Sequence, residues 1–415
     1  MTMNFLLILL GTAALLAQPA SAQPYDLVLK GGHVIDPRNK IDRVMDVAVK
    51  DGKIAAVAEN ITAVQAKQTV DVAGLYVTPG LVDIHVHVYA GTGMRGAYSG
   101  DNSVYPDGFT FRTGVTTVVD AGSSGWRNFP DFKDRVIDRS QTRVLALLNI
   151  VGKGMGGDPI EQNLDDMDPA ATAKVMKQFP ETIVGVKSAH YRGPEWDPVD
   201  RAVKAAAAGG GVVMVDFGEF RKERPFEELV LEHLRPGDMY THTYLGRVPM
   251  LDAEGRVRPY LFEARKRGVK FDVGHGGGSF WWSQAVPAIK QGFRPDSIST
   301  DLHIGSMNAG MKTMLEVMSK ILNQDVPLYD VIAMSTANPA NQIHRTELGH
   351  LSVGAAADIA VIRQDQGKFG FLDVNNALAY GAKRLVGELT LRDGKVVWDL
   401  NGRAGVRWEE FYKKK

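Results

Sequence analysis

Between residues 81 and 301 the chain repeats one pattern eight times: a short apolar stretch closing on polar side chains, then a segment of helical periodicity. The stretches are LVDIHVH (81–87), GVTTVVD (114–120), RVLALLN (143–149), IVGVK (183–187), VVMVD (212–216), MYTHT (239–243), VKFDVGH (269–275) and SISTD (297–301). One polar residue from each falls at 87, 120, 149, 187, 216, 242, 275 and 301, with gaps of 26 to 38 residues. That gap is the length of one strand plus one helix, and alternating units of this kind build a parallel sheet. Eight of them predict an α/β fold, a (β/α)8 TIM-like barrel, whose chemistry sits at the C-terminal ends of the strands. A charged group at the end of a buried strand is costly unless it is paired or coordinated. A ring made of His85, His87, His242, His275, Asp120, Asp216, Asp301 and Lys187 therefore points to a functional centre.

The flanks have another rhythm. LVLKGGHVIDP, DVAVKDGKIAAVA and QTVDVAGLYVTPG alternate apolar and polar residues before the repeats, as do LSVGAAADIAVIR and KRLVGELTLRDGKVVWDLNG after them. Both ends carry an Asp-Gly-Lys turn, at Asp51 and at Asp393. Such strands predict a small β-sandwich domain built from both chain ends, residues 23–77 and 346–405, with the barrel (78–345) inserted between them. Residues 406–415 remain as a C-terminal tail. At the front, FLLILLGTAALLA (5–17) is too short to span a bilayer and is followed by Ala20, Ser21 and Ala22, a small-x-small cleavage pattern. Residues 1–22 are expected to be a signal peptide, although the leading MTMNF lacks Lys and Arg.

Composition removes several classes. There is no cysteine, so thiolate metal sites, disulfides and a Cys nucleophile are excluded, and any metal must be held by nitrogen or oxygen. Lys+Arg and Asp+Glu are both 48, with no basic stripe, which argues against a nucleic-acid partner. No G-x-S-x-G elbow supports a serine hydrolase. Two G-x-G-x-x-G strings, Gly91–Gly96 and Gly152–Gly157, lead into no apolar-periodic helix and are assigned to loops.

His85 and His87 point to the same face of a strand and can share a metal ion. The longer string VTPGLVDIHVH resembles the first barrel strand of the amidohydrolase superfamily. LNIVGKGMGG, VGVK, THTYLG, DVGHGGGSF and STDLH resemble its dihydroorotase-like amidohydrolase/deacetylase group, and the likeness covers nearly all of the mature chain. The resemblance implies that His85 and His87 bind the more buried metal together with Asp301, which is also the catalytic base. It implies that Lys187 is carboxylated by CO2 and bridges two metals, that His242 binds the more exposed metal, and that His275 lies close to substrate. An ammonium has no lone pair to offer a cation, and carboxylation converts it to an anionic two-oxygen ligand. Where the group carries a His at the end of the fifth strand, this chain has Asp216. A carboxylate there keeps a second site with oxygen in place of nitrogen; the alternative is one tight metal with a weak second site. His190 is either a substitute ligand or a loop residue near substrate or solvent. Arg192 is either a clasp for a substrate carboxylate or a loop salt bridge. His33, His233, His344 and His350 are read as surface or structural.

The reading is a secreted or periplasmic metal-dependent hydrolase with two Zn2+ per chain and N6-carboxylysine at Lys187. It would cleave an amide, and a related ester, of N-acyl amino acids or acylated 2-hydroxy acids by attack of metal-bound hydroxide. Two rivals stay open: a cyclic-amide hydrolase of the dihydroorotase or hydantoinase kind, and a non-catalytic binding protein on the same barrel. The expected partner is a small molecule, with no nucleic acid and no membrane after signal removal. Homo-oligomerisation is left open.

Overall fold

Strands buried on both faces of a parallel sheet are continuous apolar runs. In the structure, a computed structural model that describes residues 24–413, Val212–Asp216 is such a strand, buried at all five positions. The expected signal peptide lies outside the described residues. Seven parallel strands follow one another in spatial and chain order: Leu81–Val86, Val115–Gly125, Arg143–Asn149, Ile183–Ala189, Val212–Asp216, Met239–Tyr240 and Lys270–Phe271. The segment at 297–302 closes the ring through parallel bridges, Ser297 to Asp272 and Leu302 to Val86. The His87 amide donates to the Leu302 carbonyl at 2.8 Å.

The eighth unit departs from the expected strand 297–301. Only isolated bridges form there, because Thr300 turns its amide to the Asp83 carboxylate (3.1 Å) and Asp301 adopts a left-handed φ of 49°. His242, at φ 62°, ends the sixth strand in the same way. Both side chains are aimed by breaking the ladder that carries them.

Helices follow most strands, among them Pro169–Gln178, Asp197–Gly209, Pro259–Arg267 and Met314–Leu322. The first of these starts at Asp168, whose side chain accepts from the Ala170 and Ala171 amides, with Pro169 at the first helical position. The first strand is the exception: residues 87–114 form a long connection with 3-10 turns at Pro106–Gly108 and Phe111–Thr113. A large apolar cluster, including Phe129, Phe132, Val199, Phe226, Leu261 and Phe293, packs the outer layer onto the barrel.

The sandwich expected from the chain ends is built as one continuous sheet of eight strands. Its order is Lys395–Asp399, Leu378–Arg392, Ile359–Leu372, Tyr76–Pro79, Tyr25–Asp36, Ile41–Lys50 and Lys53–Ala58, with Ala66–Asp71 also on Tyr25–Asp36. Tyr76–Pro79, antiparallel to Ile359–Leu372, joins the two ends of the chain. One apolar cluster unites both halves, with Leu29, Val47, Val70 and Val77 against Ile359, Val361, Leu389 and Leu391. The expected tail instead carries an exposed helix, Trp408–Lys413.

Candidate metal centre

The C-terminal ends of the first, fourth, fifth, sixth and eighth barrel segments bring six side chains together. His85, His87, Lys187, Asp216, His242 and Asp301 are all buried. Donor atoms of His85, His87 and Asp301 lie within 4.8 Å of one another, and so do those of His85, Asp216 and His242. The Asp301 carboxylate is 3.1 Å from His87 Nε2 and 3.6 Å from His85 Nε2. Asp216 Oδ2 is 3.1 Å from His242 Nε2. Lys187 Nζ stands between the two groups, 3.1 Å from His85 Nε2 and 3.2 Å from Asp216 Oδ2.

The imidazoles are held from behind, which fixes which nitrogen faces the centre. His242 Nδ1 donates to the Gly274 carbonyl at 2.6 Å, a group that can only accept, so its Nε2 lone pair points inward. Gly274 has φ 47°, and a Cβ there would lie 2.2 Å from Thr241 Oγ1, so glycine is required. His85 Nδ1 donates to Thr241 Oγ1 (2.9 Å), whose hydroxyl donates in turn to Asp272 (2.8 Å). Asp272 also accepts from Ser297 (2.6 Å) and Ser299 (2.5 Å). His87 Nδ1 is 2.9 Å from Ser123 Oγ.

Electrostatics follow from this packing. Burial, then the Lys187 ammonium, holds the His85 imidazole well below its ordinary range, so it is a neutral ligand-type ring. Burial alone would raise the Asp301 carboxyl, but His85, His87 and His303 outweigh it and keep it ionised. Asp216 is likewise held well below the carboxylate range: burial is outweighed by His242 and Lys187. Burial lowers His190, but Glu161 and Asp216 prevail and raise it to about 9. Imidazole nitrogens turned toward ionised carboxylates on strand ends are a fitting donor set for a divalent metal of the zinc or manganese kind.

Above these groups lies a cavity of about 250 Å³, lined in part by Tyr98, His190, Leu245, Gly277, Ser279 and His303. Two expected substrate contacts are placed elsewhere. Arg192 is 69% exposed and ion-paired with Asp158, the loop salt bridge of its alternative reading. His275 is fully buried, its Nε2 2.7 Å from Lys320 Nζ and its ring stacked on Phe280, and it does not line the cavity. Asp120 ties loops together by accepting from the Val88 (2.8 Å) and Ser123 (2.7 Å) amides. Sequence reasoning missed Tyr98, Glu161 and His303. His303 stands two residues beyond Asp301, which was its available signal; Tyr98, inside an aperiodic connection, had none.

The comparisons agree with this geometry. The family model described as "Amidohydrolase family" matches residues 282–397. A curated protein named as a deacetylase, from Agrobacterium fabrum (strain C58 / ATCC 33970), is 36% identical over 322 residues, which is 75% of this chain and 76% of that protein. Among solved structures, one described as an adenine deaminase superposes with a TM-score of 0.82 at 28% identity, covering 90% of this chain and 100% of that one. One described as a dihydroorotase gives 0.79 at 30% identity, covering 90% and 99%. Divalent-metal hydrolysis of carbon–nitrogen bonds goes with this relationship, and the chain belongs to the amidohydrolase family.

Proposed function

We propose that the protein hydrolyses the amide bond of N-acyl amino acids, or the ester bond of acylated 2-hydroxy acids, with two Zn2+ per chain and a carboxylated Lys187. The observation that carries this reading is the convergence of His85, His87 and Asp301 with Asp216 and His242 around Lys187, on the floor of a small polar cavity. A cavity of about 250 Å³ suits a small acyl compound rather than a folded polypeptide. The deacetylase name of the Agrobacterium relative supports the acyl side of the proposal.

His85, His87 and Asp301 would hold one metal, and His242 and Asp216 the other. Carboxylation of Lys187 would join the neutral Nζ to the carbon of CO2 and release one proton, giving a carbamate whose single negative charge is shared by two oxygens. The metals supply Lewis acidity, polarising a carbonyl and making water nucleophilic at neutral pH. Asp301, kept ionised by its histidines, accepts the proton of the attacking water and returns it to the departing nitrogen or oxygen. His303 accepts the Gly305 amide at Nδ1 (3.0 Å), so its Nε2–H is a donor facing the cavity for a substrate oxygen. Burial, with Asp301 and Asp216 nearby, raises the Tyr98 phenol, which stays a neutral donor.

The test is turnover by enzyme purified with bicarbonate and without chelator. Acetylated amino acids of both hands and acetylated 2-hydroxy acids are compared with dihydroorotate, hydantoin and adenine. Release of acetate from the open-chain compounds is expected. Ring opening alone would make the protein a cyclic-amide hydrolase, and metal binding without any turnover would favour a binding protein. Export belongs to the same proposal: mature protein from the periplasm or medium should begin at Gln23, and a full-length cytoplasmic product would refute it.

A further inference from the structure

We propose that His190 is a nitrogen ligand of the metal on the Asp216 side, completing a set with His242 and Asp216. The inference rests on the metal reading of the site and is independent of the substrate.

An imidazole can coordinate through Nε2 only when its proton sits on Nδ1. Four histidines line the cavity: His87, His190, His242 and His303. Their partners sort them. His242 presents its Nε2 lone pair because Nδ1 faces a carbonyl. His303 presents a proton instead, because its Nδ1 accepts the Gly305 amide. His190 behaves like His242: Nδ1 faces the Glu161 carboxylate, 3.2 Å from Oε1 and 3.4 Å from Oε2. Glu161 is buried and fixed by the Gly157 amide at 3.0 Å. A carboxylate behind a histidine whose other nitrogen points at a metal is the usual outer support of such a ligand.

The backbone is committed to the same end. His190 has a left-handed φ of 57°, a conformation unfavourable for a residue with a Cβ. It is clamped there from both sides: its amide donates to the Asp216 carbonyl (3.1 Å), and its carbonyl accepts from Gln162 Nε2 (2.9 Å). The result sets His190 Nε2 3.7 Å from Asp216 Oδ2, the oxygen that lies 3.1 Å from His242 Nε2. His275 offers no such lone pair, since its Nε2 is taken by Lys320.

The test compares wild type with His190→Asn, Glu161→Gln and His303→Asn, each loaded with Zn2+ or Co2+ in bicarbonate. Metal per chain is measured by elemental analysis, Kd by competition with a chelating dye, and ligand field by the visible spectrum of the cobalt form. His190→Asn should weaken one of the two metal equivalents at least ~10-fold and change the cobalt spectrum, and Glu161→Gln should weaken the same equivalent by about 10–100-fold. His303→Asn should leave stoichiometry and Kd unchanged. Circular dichroism in chelator checks folding, and if His190→Asn does not fold, Glu161→Gln decides the matter. Wild-type stoichiometry, Kd and spectrum in the folded variants would overturn the assignment, as would a single ion insensitive to both changes. A wild-type chain that takes no metal overturns this inference and the metal reading together. One that binds metal as described and cleaves no acyl compound overturns the substrate reading alone.

Discussion

Replacing Lys320 by methionine should cost stability by an amount that shrinks as pH falls from 10 to 7. Lys320 is fully buried, and its Nζ donates to the Gly310 carbonyl (2.7 Å), the Leu372 carbonyl (2.6 Å) and His275 Nε2 (2.7 Å). Methionine fills a similar volume and, at pH 10 where the native amine is neutral and has two N–H, leaves two of those acceptors without a donor, at about 1–3 kcal/mol each. The opposing effect is charge: burial, with Lys312 adding to it, pushes the amine down from 10.5 to about 7. The unfolded chain then takes up the proton first as pH falls, so the wild type loses stability from pH 10.5 down to about 7 and is level below that. Integrated from pH 10 to pH 7, the loss is about 3.5 kcal/mol, with a limiting slope of about 1.4 kcal/mol per pH unit. The methionine variant has no such slope. Urea unfolding in chelator at several pH values should show the wild type clearly ahead at pH 10 and its lead reduced or reversed at pH 7. A variant destabilised by the same amount at both ends would refute the reasoning and mean that three acceptors keep the ammonium at its ordinary pKa.

Three further perturbations separate roles within the structure. Gly276→Ala would place a Cβ 2.4 Å from Asp301 Oδ2 at a backbone φ of 55°; displacing that carboxylate should lower kcat by about 100-fold in steady-state assays and weaken the metal proposed for His85, His87 and Asp301. Arg192→Ala should leave kcat/KM within about 2-fold, because an exposed ion pair contributes only ~0–1 kcal/mol; a large rise in KM would instead put the guanidinium on the substrate. Asp46→Ala removes a buried acceptor of Lys30 Nζ (2.6 Å) and of the Gly31 (2.8 Å) and Ile61 (2.7 Å) amides, and should cost about 2–4 kcal/mol in denaturant melts at pH 7. Burial raises the Asp46 carboxyl, but these hydrogen bonds outweigh it and the pKa falls below 3.8. The charge-linked part of its stabilisation is therefore present above pH 3.8 and lost as pH falls through the lower native value, where the gap between wild type and variant should narrow.

The barrel was legible wherever burial alone decides the residues. Arg143–Asn149 and Val212–Asp216 have the limits that their apolar runs suggest, because both faces are covered and no side chain competes for the backbone. Legibility fails where function bends the chain. The sixth and seventh strands shrink to Met239–Tyr240 and Lys270–Phe271, and the eighth to bridges, since His242, Gly274 and Asp301 adopt positive φ. The first connection defeats periodicity altogether, and Tyr98 comes from it. Arg192 shows the limit from the other side: its sequence position left a carboxylate clasp and a loop salt bridge open, and its partner in the fold, Asp158, lies 34 residues away on the neighbouring loop.

The residue types at the strand ends could be read from the sequence, but their orientation could not. That His85, His87 and His242 sit on strand ends follows from local pattern. Which nitrogen each presents depends on remote partners: His85 answers to Thr241, 156 residues on, and His242 to Gly274, 32 residues on. The same dependence separates His190 from His303. Both line one cavity, His190 near Asp216 and His303 near Asp301, yet Nδ1 of the first faces a carboxylate and Nδ1 of the second accepts an amide. The centre is thus specified twice: once by the residues that face it, and again by the hydroxyls, carbonyls and carboxylates behind them that orient each ring.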